Sequence, residues 1–177
     1  MNFVLLVLLK HLELILYAAN DKKHPFEFVG GFRLQKPSKE ERVTVLGEIV
    51  QECFKRFKVN RGQYPRKLIL FRNGCSEGQF KMVLSTELPF AIGASSDLKY
   101  DAQVTLIVPN RFALQGTAKT PRFTIIYDGN IDDAVQLWCY NLCFGIQIDR
   151  LPTSLPSPVY IATRYAERGR ALLNASS

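Results

Sequence analysis

The sequence predicts an α/β domain, with strands and helices alternating around one sheet. Two observations predict it. Short, nearly continuous apolar runs bounded by turn residues alternate with longer stretches in which apolar residues recur at helical spacing. At 177 residues, with 47% hydrophobic and 22% charged residues, the chain also has the size and composition of one globular unit rather than two. Its 12 Phe and 7 Tyr supply enough apolar surface to offset the entropy of ordering the chain, which argues against intrinsic disorder.

The elements follow in order. Met1 to Ala19 is apolar, but Lys10, His11 and Glu13 interrupt it and leave Phe3 to Leu9, too short to cross a bilayer. A neutral Asn2 and a bulky Tyr17 before Ala19 argue against a secretory signal. From Leu12, an apolar run to Ala19, the polar turn Asn20 to Pro25, and Phe26, Phe28, Phe32 and Leu34 around Gly30-Gly31 read as a β-hairpin bent or bulged at the glycines. Ser38 and Glu41 form a capping box that opens a helix, with Val43, Leu46, Ile49, Val50, Cys53, Phe54 and Phe57 as its apolar stripe. Lys67 to Phe71 is a buried strand. Ser76 and Gln79 make a second capping box, for a helix that runs up to Pro89. Strands at Gln103 to Val108 and Phe123 to Tyr127 follow, then a helix from about Ile131 to Gly145. An extended, proline-punctuated stretch from Leu151 to Pro158 leads into a last helix from Tyr160 to Leu173.

The charge balance is basic: 23 Lys and Arg against 16 Asp and Glu give +7, which favours an anionic partner such as nucleic acid. The cluster Lys55, Arg56, Lys58, Arg61, Arg66 and Lys67 reads as a solvated rim, or at most a nonspecific electrostatic track. Cys53, Cys75, Cys139 and Cys143 are too few and too irregular for a disulfide framework, so buried, reduced thiols and an intracellular protein are expected. With only His11 and His24 besides, a tetrahedral zinc site lacks ligands. No phosphate-cradling glycine motif is present, and no metal or cofactor is expected.

The most informative stretch is Leu70-Phe71-Arg72-Asn73-Gly74-Cys75-Ser76-Glu77-Gly78-Gln79-Phe80, a strand whose end delivers a polar residue and a glycine turn into a helix. In α/β sheets that edge is where ligands sit. R-x-G-x-S-E-G-Q-F resembles the Piwi-domain signature of Argonaute proteins. Two further stretches agree in order. Leu114 to Pro121 resembles the family's Q-G-T strand-loop, and Ser154-Leu155-Pro156-Ser157-Pro158-Val159-Tyr160-Ile161-Ala162 resembles its S-x-P-x-P-x-Y-x-A, followed by Arg164 to Arg170. The Q-G-T-A-K-T-P and R-Y-A-E-R-G-R variants look most like the worm-specific Argonaute branch. The resemblance implies a ribonuclease H-like Piwi fold, a mixed sheet flanked by helices, over residues 14–174. Residues 1–13 are then an atypical apolar segment and 175–177 a tail.

Target cleavage by this fold requires carboxylates, with a His or Asp, that hold two divalent metals. Set against that pattern, nothing before Tyr17 matches the first aspartate, whose strand is expected to be missing or replaced. The second aspartate falls at Asn73, a neutral amide, and the last ligand at Thr163, a poor Mg²⁺ ligand. The glutamate finger falls on Glu41, which the capping box explains equally well. Between Arg111 and Phe112 a long loop and most of a strand are also expected to be missing. The resemblance therefore implies a protein that is not an enzyme, with a Mg²⁺-dependent endoribonuclease or an interaction-only remnant as the alternatives.

Binding asks for different residues. Guide strands are held through their phosphates, which calls for Arg, Lys and hydroxyl donors. Arg164 and Arg168, one helical turn apart, can converge on one anionic site. By resemblance Arg168 matches the arginine that reaches the guide 5′-phosphate pocket, and Lys119, Ser154 and Tyr160 match guide-backbone contacts. The partners so implied are a small guide RNA, its complementary target RNA and other silencing proteins, in cytoplasm or nucleus, with no membrane.

Overall fold

Strand β1 (Phe3–His11) lies inside the sheet, between β2 (Leu14–Ala19), which pairs with it antiparallel, and β4 (Lys67–Asn73), which pairs with it parallel. The computed structural model describes residues 2–11, 13–36, 42–112, 120–129, 134–145 and 153–176. With β3 (Val29–Leu34), β5 (Gln103–Phe112) and β6 (Thr120–Asp128), the strands form one mixed six-stranded sheet in the order β3-β2-β1-β4-β5-β6. A strand thus stands where the first one was expected to be missing or replaced, without an aspartate, and the sheet takes in residues before 14. Its sequence explains its place. A strand covered on both faces reads as an unbroken apolar run rather than an alternating one. In β1, Val4, Leu6 and Leu8 join the core on one face, and Leu5 and Val7 the core on the other.

Helix α1 (Leu46–Arg61) covers the first face through Ile49, Val50, Cys53, Phe54 and Phe57, as its stripe predicts. It starts later than expected. Val45 is the N-cap and makes no side-chain cap, while Ser38 and Glu41 lie outside the described residues. Side chains from elsewhere take over the backbone just ahead of the helix: Val43 N–H donates to Glu87 Oε1 at 2.9 Å and Thr44 N–H to Gln35 Oε1 at 2.8 Å. Gly62, with φ of 79°, ends the helix in the left-handed conformation that glycine adopts without a Cβ clash.

After β4, a 3₁₀ turn (Glu77–Gln79), α2 (Phe80–Met82), a π turn (Val83–Glu87) and α3 (Leu88–Asp97) run on without a break. Helix was expected to stop at Pro89; instead the helical run continues through Pro89, directly after the π turn that ends at Glu87. The opposite face of the sheet is covered by α4 (Ala134–Leu142) and α5 (Ser157–Ser176), with Cys139, Leu142, Val159 and Ala162 in its core. All four cysteines are free and buried, and burial pushes the thiols of Cys139 and Cys143 up to about 12 and about 11. They stay protonated at neutral pH. Of the bulge or bend expected at Gly30-Gly31, the bulge is absent: Gly30 pairs with Ala18 and Gly31 with Tyr17 in unbroken register. Among the described residues no helix is long and apolar enough to cross a membrane.

Candidate nucleic-acid interface

Parallel pairing of β1 with β4 sets the register Leu5 to Ile69, Val7 to Phe71 and Leu9 to Asn73. Strand side chains alternate between faces, so Leu9 and Asn73 stand side by side on the α5 face, at the end of the sheet where both strands finish. Leu9 packs with Leu14, Leu16 and Phe32. Gly74 then turns the chain with φ of 74°. Ser76 N–H donates to Gln79 Oε1 at 2.8 Å, as the second capping box predicts.

Arg72 of the signature is spent internally. It is 2% exposed and donates to both carboxylate oxygens of the fully buried Glu87, Nε to Oε2 at 2.9 Å and Nη2 to Oε1 at 3.3 Å, and its Nη1 donates to Asn73 O at 2.9 Å. Because Glu87 also accepts Val43 N–H, one ion pair ties the end of β4 to the chain entering α1. Nothing in the spacing of Arg72 and Glu87 announces this, since it depends on the π turn. Thr163 donates its hydroxyl to Val159 O at 2.9 Å, within its own helix.

Helix α5 has two faces. One packs on the sheet through Val159, Ala162, Tyr165 and Gly169, the last two against Gly30 and Phe32. Tyr160, half-buried against the edge of the same core, begins a second line that Arg164 and Arg168 continue in successive turns. Three of the predicted binding residues therefore share a face, and Ser154 joins them, its Oγ 3.0 Å from the Tyr160 hydroxyl. Arg164 pairs with Glu167 at 2.8 Å, both well exposed; Arg168 is exposed. Lys119 and Glu41, the remaining predicted site residues, fall outside the described residues.

Beside this line, α4, α5 and the segment carrying Phe26 and Phe28 form a half-open cavity of about 570 Å³ that includes Tyr160 and Arg164 in its wall. The segment is held from behind by α1. Arg61 donates to the carbonyls of Asn20 and Lys22, both at 2.8 Å, Asn60 to Asp21 O at 2.9 Å, and Arg56 Nε to the buried Asp21 carboxylate at 2.7 Å. Arg56 and Arg61, taken from sequence as part of a solvated rim, are thus internal ties. Their signal was absent from the sequence because the partners lie some forty residues away.

The Piwi domain family model matches residues 13–112 and 107–174. The chain belongs to the Piwi domain family. This Piwi domain is 30% identical to the Argonaute protein wago-1 of Caenorhabditis elegans, over 82% of the chain and 20% of that relative, and so spans about a fifth of its length. The alignment runs over 193 positions, more than the chain contains, and the family match divides at residues 107–112. The relative therefore carries residues that this Piwi domain lacks. Among solved structures, the C-terminal lobe of a budding yeast Argonaute superposes with a TM-score of 0.77 at 19% identity, covering 99% of this chain and 49% of that one. Kluyveromyces polysporus Argonaute with a guide RNA superposes at 0.76 and 19% identity, over 91% of this chain and 26% of that one. The ribonuclease H-like fold expected of a Piwi domain is the fold observed.

Proposed function

We propose that this Piwi domain binds a small guide RNA, and through it a complementary target, in RNA-mediated gene silencing, and that it does not cleave the target. The observation that carries the reading is one line along α5, in which the half-buried Tyr160 with its Ser154 partner is followed by the exposed Arg164 and Arg168. Hydroxyl and guanidinium donors of this kind hold phosphates without reading sequence. A similar structure contains a guide RNA, which supports the same role here. The non-cleaving half rests on donor chemistry. Leu9 is aliphatic, Asn73 is neutral, and the Thr163 hydroxyl is committed to its own helix, so these three positions offer no anion to offset the charge of paired divalent cations.

The test is binding of 5′-phosphorylated single-stranded RNA across a salt series. Arg168→Ala is expected to weaken binding about tenfold, the worth of one charged hydrogen bond, and to flatten the salt slope by about 0.7. Equal binding of 5′-hydroxyl RNA would remove the phosphate assignment of Arg168. Incubation with a paired target and Mg²⁺ is expected to leave the target intact, and metal-dependent cleavage that Glu41→Gln abolishes would overturn the non-cleaving half.

A further inference from the structure

We propose that the cavity between α4 and α5 receives one unstacked nucleobase, with the phosphate of the same nucleotide held by Arg164; this rests on the guide-binding reading and adds a base subsite to it. Its volume of about 570 Å³ lies in the range of small-ligand sites, which are largely apolar with a few placed polar groups. The wall fits that description. Phe26, Phe28 and Tyr160 offer the aromatic surfaces on which bases stack, and Ile161 adds an aliphatic side chain to the lining. Asn141, on an exposed turn of α4, brings an amide that donates and accepts at once, the pairing a base edge requires.

The mouth matches the other end of a nucleotide. The Arg164 side chain is 82% exposed, and its pairing with Glu167, itself 57% exposed, is the kind of solvated ion pair that a phosphate displaces readily. A hydrocarbon ligand would leave both Asn141 and Arg164 without a role. Tyr160 joins the cavity to the other residues assigned to guide binding, since its hydroxyl meets Ser154 while it also lines the cavity. Single-stranded RNA is recognised in this way, by bases turned out of the stack onto aromatic side chains. The site is also built in advance. Phe26 and Phe28 follow the segment tied to α1, and Gly145 lets Ser157 approach where a Cβ would collide with its hydroxyl, bringing the end of α4 onto the start of α5.

Two measurements on the full chain test this. The first is titration with adenosine 5′-monophosphate and with adenosine, followed calorimetrically. Expected are saturable binding of the monophosphate, a loss of at least tenfold with the exposed Asn141→Leu and with the cavity-filling Ile161→Trp, and a loss with Arg164→Ala that spares the nucleoside. Circular dichroism confirms that each variant is folded. No nucleotide binding, with an apolar dye taken up instead, would overturn the proposal in favour of a protein-docking groove. The second measurement scans 5′-phosphorylated RNA with single abasic positions. One position is expected to lose affinity, and that loss to vanish in Asn141→Leu. A flat scan with Arg168-dependent binding intact would sink the base subsite and leave guide binding standing. Nucleotide binding at Asn141 without any RNA binding would do the reverse.

Discussion

Gly30 and Gly31 occupy the middle of β3, where glycine ordinarily weakens a strand, and each makes room for a tyrosine. A Cβ on Gly30 would overlap the Tyr165 ring and stand 2.5 Å from the Tyr17 carbonyl oxygen; one on Gly31 would stand 2.8 Å from the Tyr17 hydroxyl oxygen. Gly30→Ala is therefore expected to destabilise the fold by about 1–3 kcal/mol, the cost of overpacking, in urea unfolding. Gly78→Ala, which meets nothing within 4 Å, should change stability by less than about 0.5 kcal/mol. Asp21 shows the same dependence on distant neighbours. Burial raises its carboxyl pKa, and the hydrogen bond from Arg56 only partly opposes this. A carboxyl raised in the folded state binds its proton more tightly there than in the unfolded chain. Its contribution to stability is fully present below the unfolded pKa and is lost as pH rises through the folded one. Unfolding measured from about pH 3 to about pH 7 should show the wild type losing stability relative to Asp21→Asn, and a constant difference would contradict the shift.

At the scale of elements, the Arg72–Glu87 pair decides how β4, the π turn and the entry to α1 meet. Removing one partner of a buried ion pair strands the other charge, so Glu87→Ala should cost about 3–5 kcal/mol in urea unfolding. Adding Arg72→Met should recover much of it, because an apolar replacement removes the stranded charge. A double variant as unstable as the single would mean that the Val43 hydrogen bond, rather than the charge, carries the cost. Helix α5 was largely legible: apolar and cationic residues separate along it at helical spacing. Helix α1 was legible in its stripe and not in its start. Its leading backbone is satisfied by Gln35 and Glu87, and no local capping pattern records partners so remote.

At the scale of the molecule, parallel pairing of β1 with β4 brings residues more than sixty positions apart to one sheet end. Neighbouring strands lie about 4.8 Å apart, so the double variant Leu9→Asp with Asn73→Asp would place two carboxylates within reach of one cation. Mg²⁺ should raise its melting temperature, by the equivalent of about 2.7 kcal/mol at a hundredfold excess over Kd, and leave the wild type unchanged. Stabilisation of the wild type by Mg²⁺ would show a site that Leu9 and Asn73 do not explain.

The sequence by itself determined the fold class, the family resemblance, the neutral side chains of Asn73 and Thr163, and the cationic face of α5. Each of these is written in residue identity or in short-range spacing, which local periodicity and motif order report directly. Only the tertiary structure decided that Phe3 to Leu9 is an inner strand, that Arg56, Arg61 and Arg72 serve the fold, and that Phe26, Asn141 and Arg164 surround one cavity. Those facts come from contacts across tens of residues. They depend on which strands pair and which helices face each other, and burial of both sheet faces at once settles that choice.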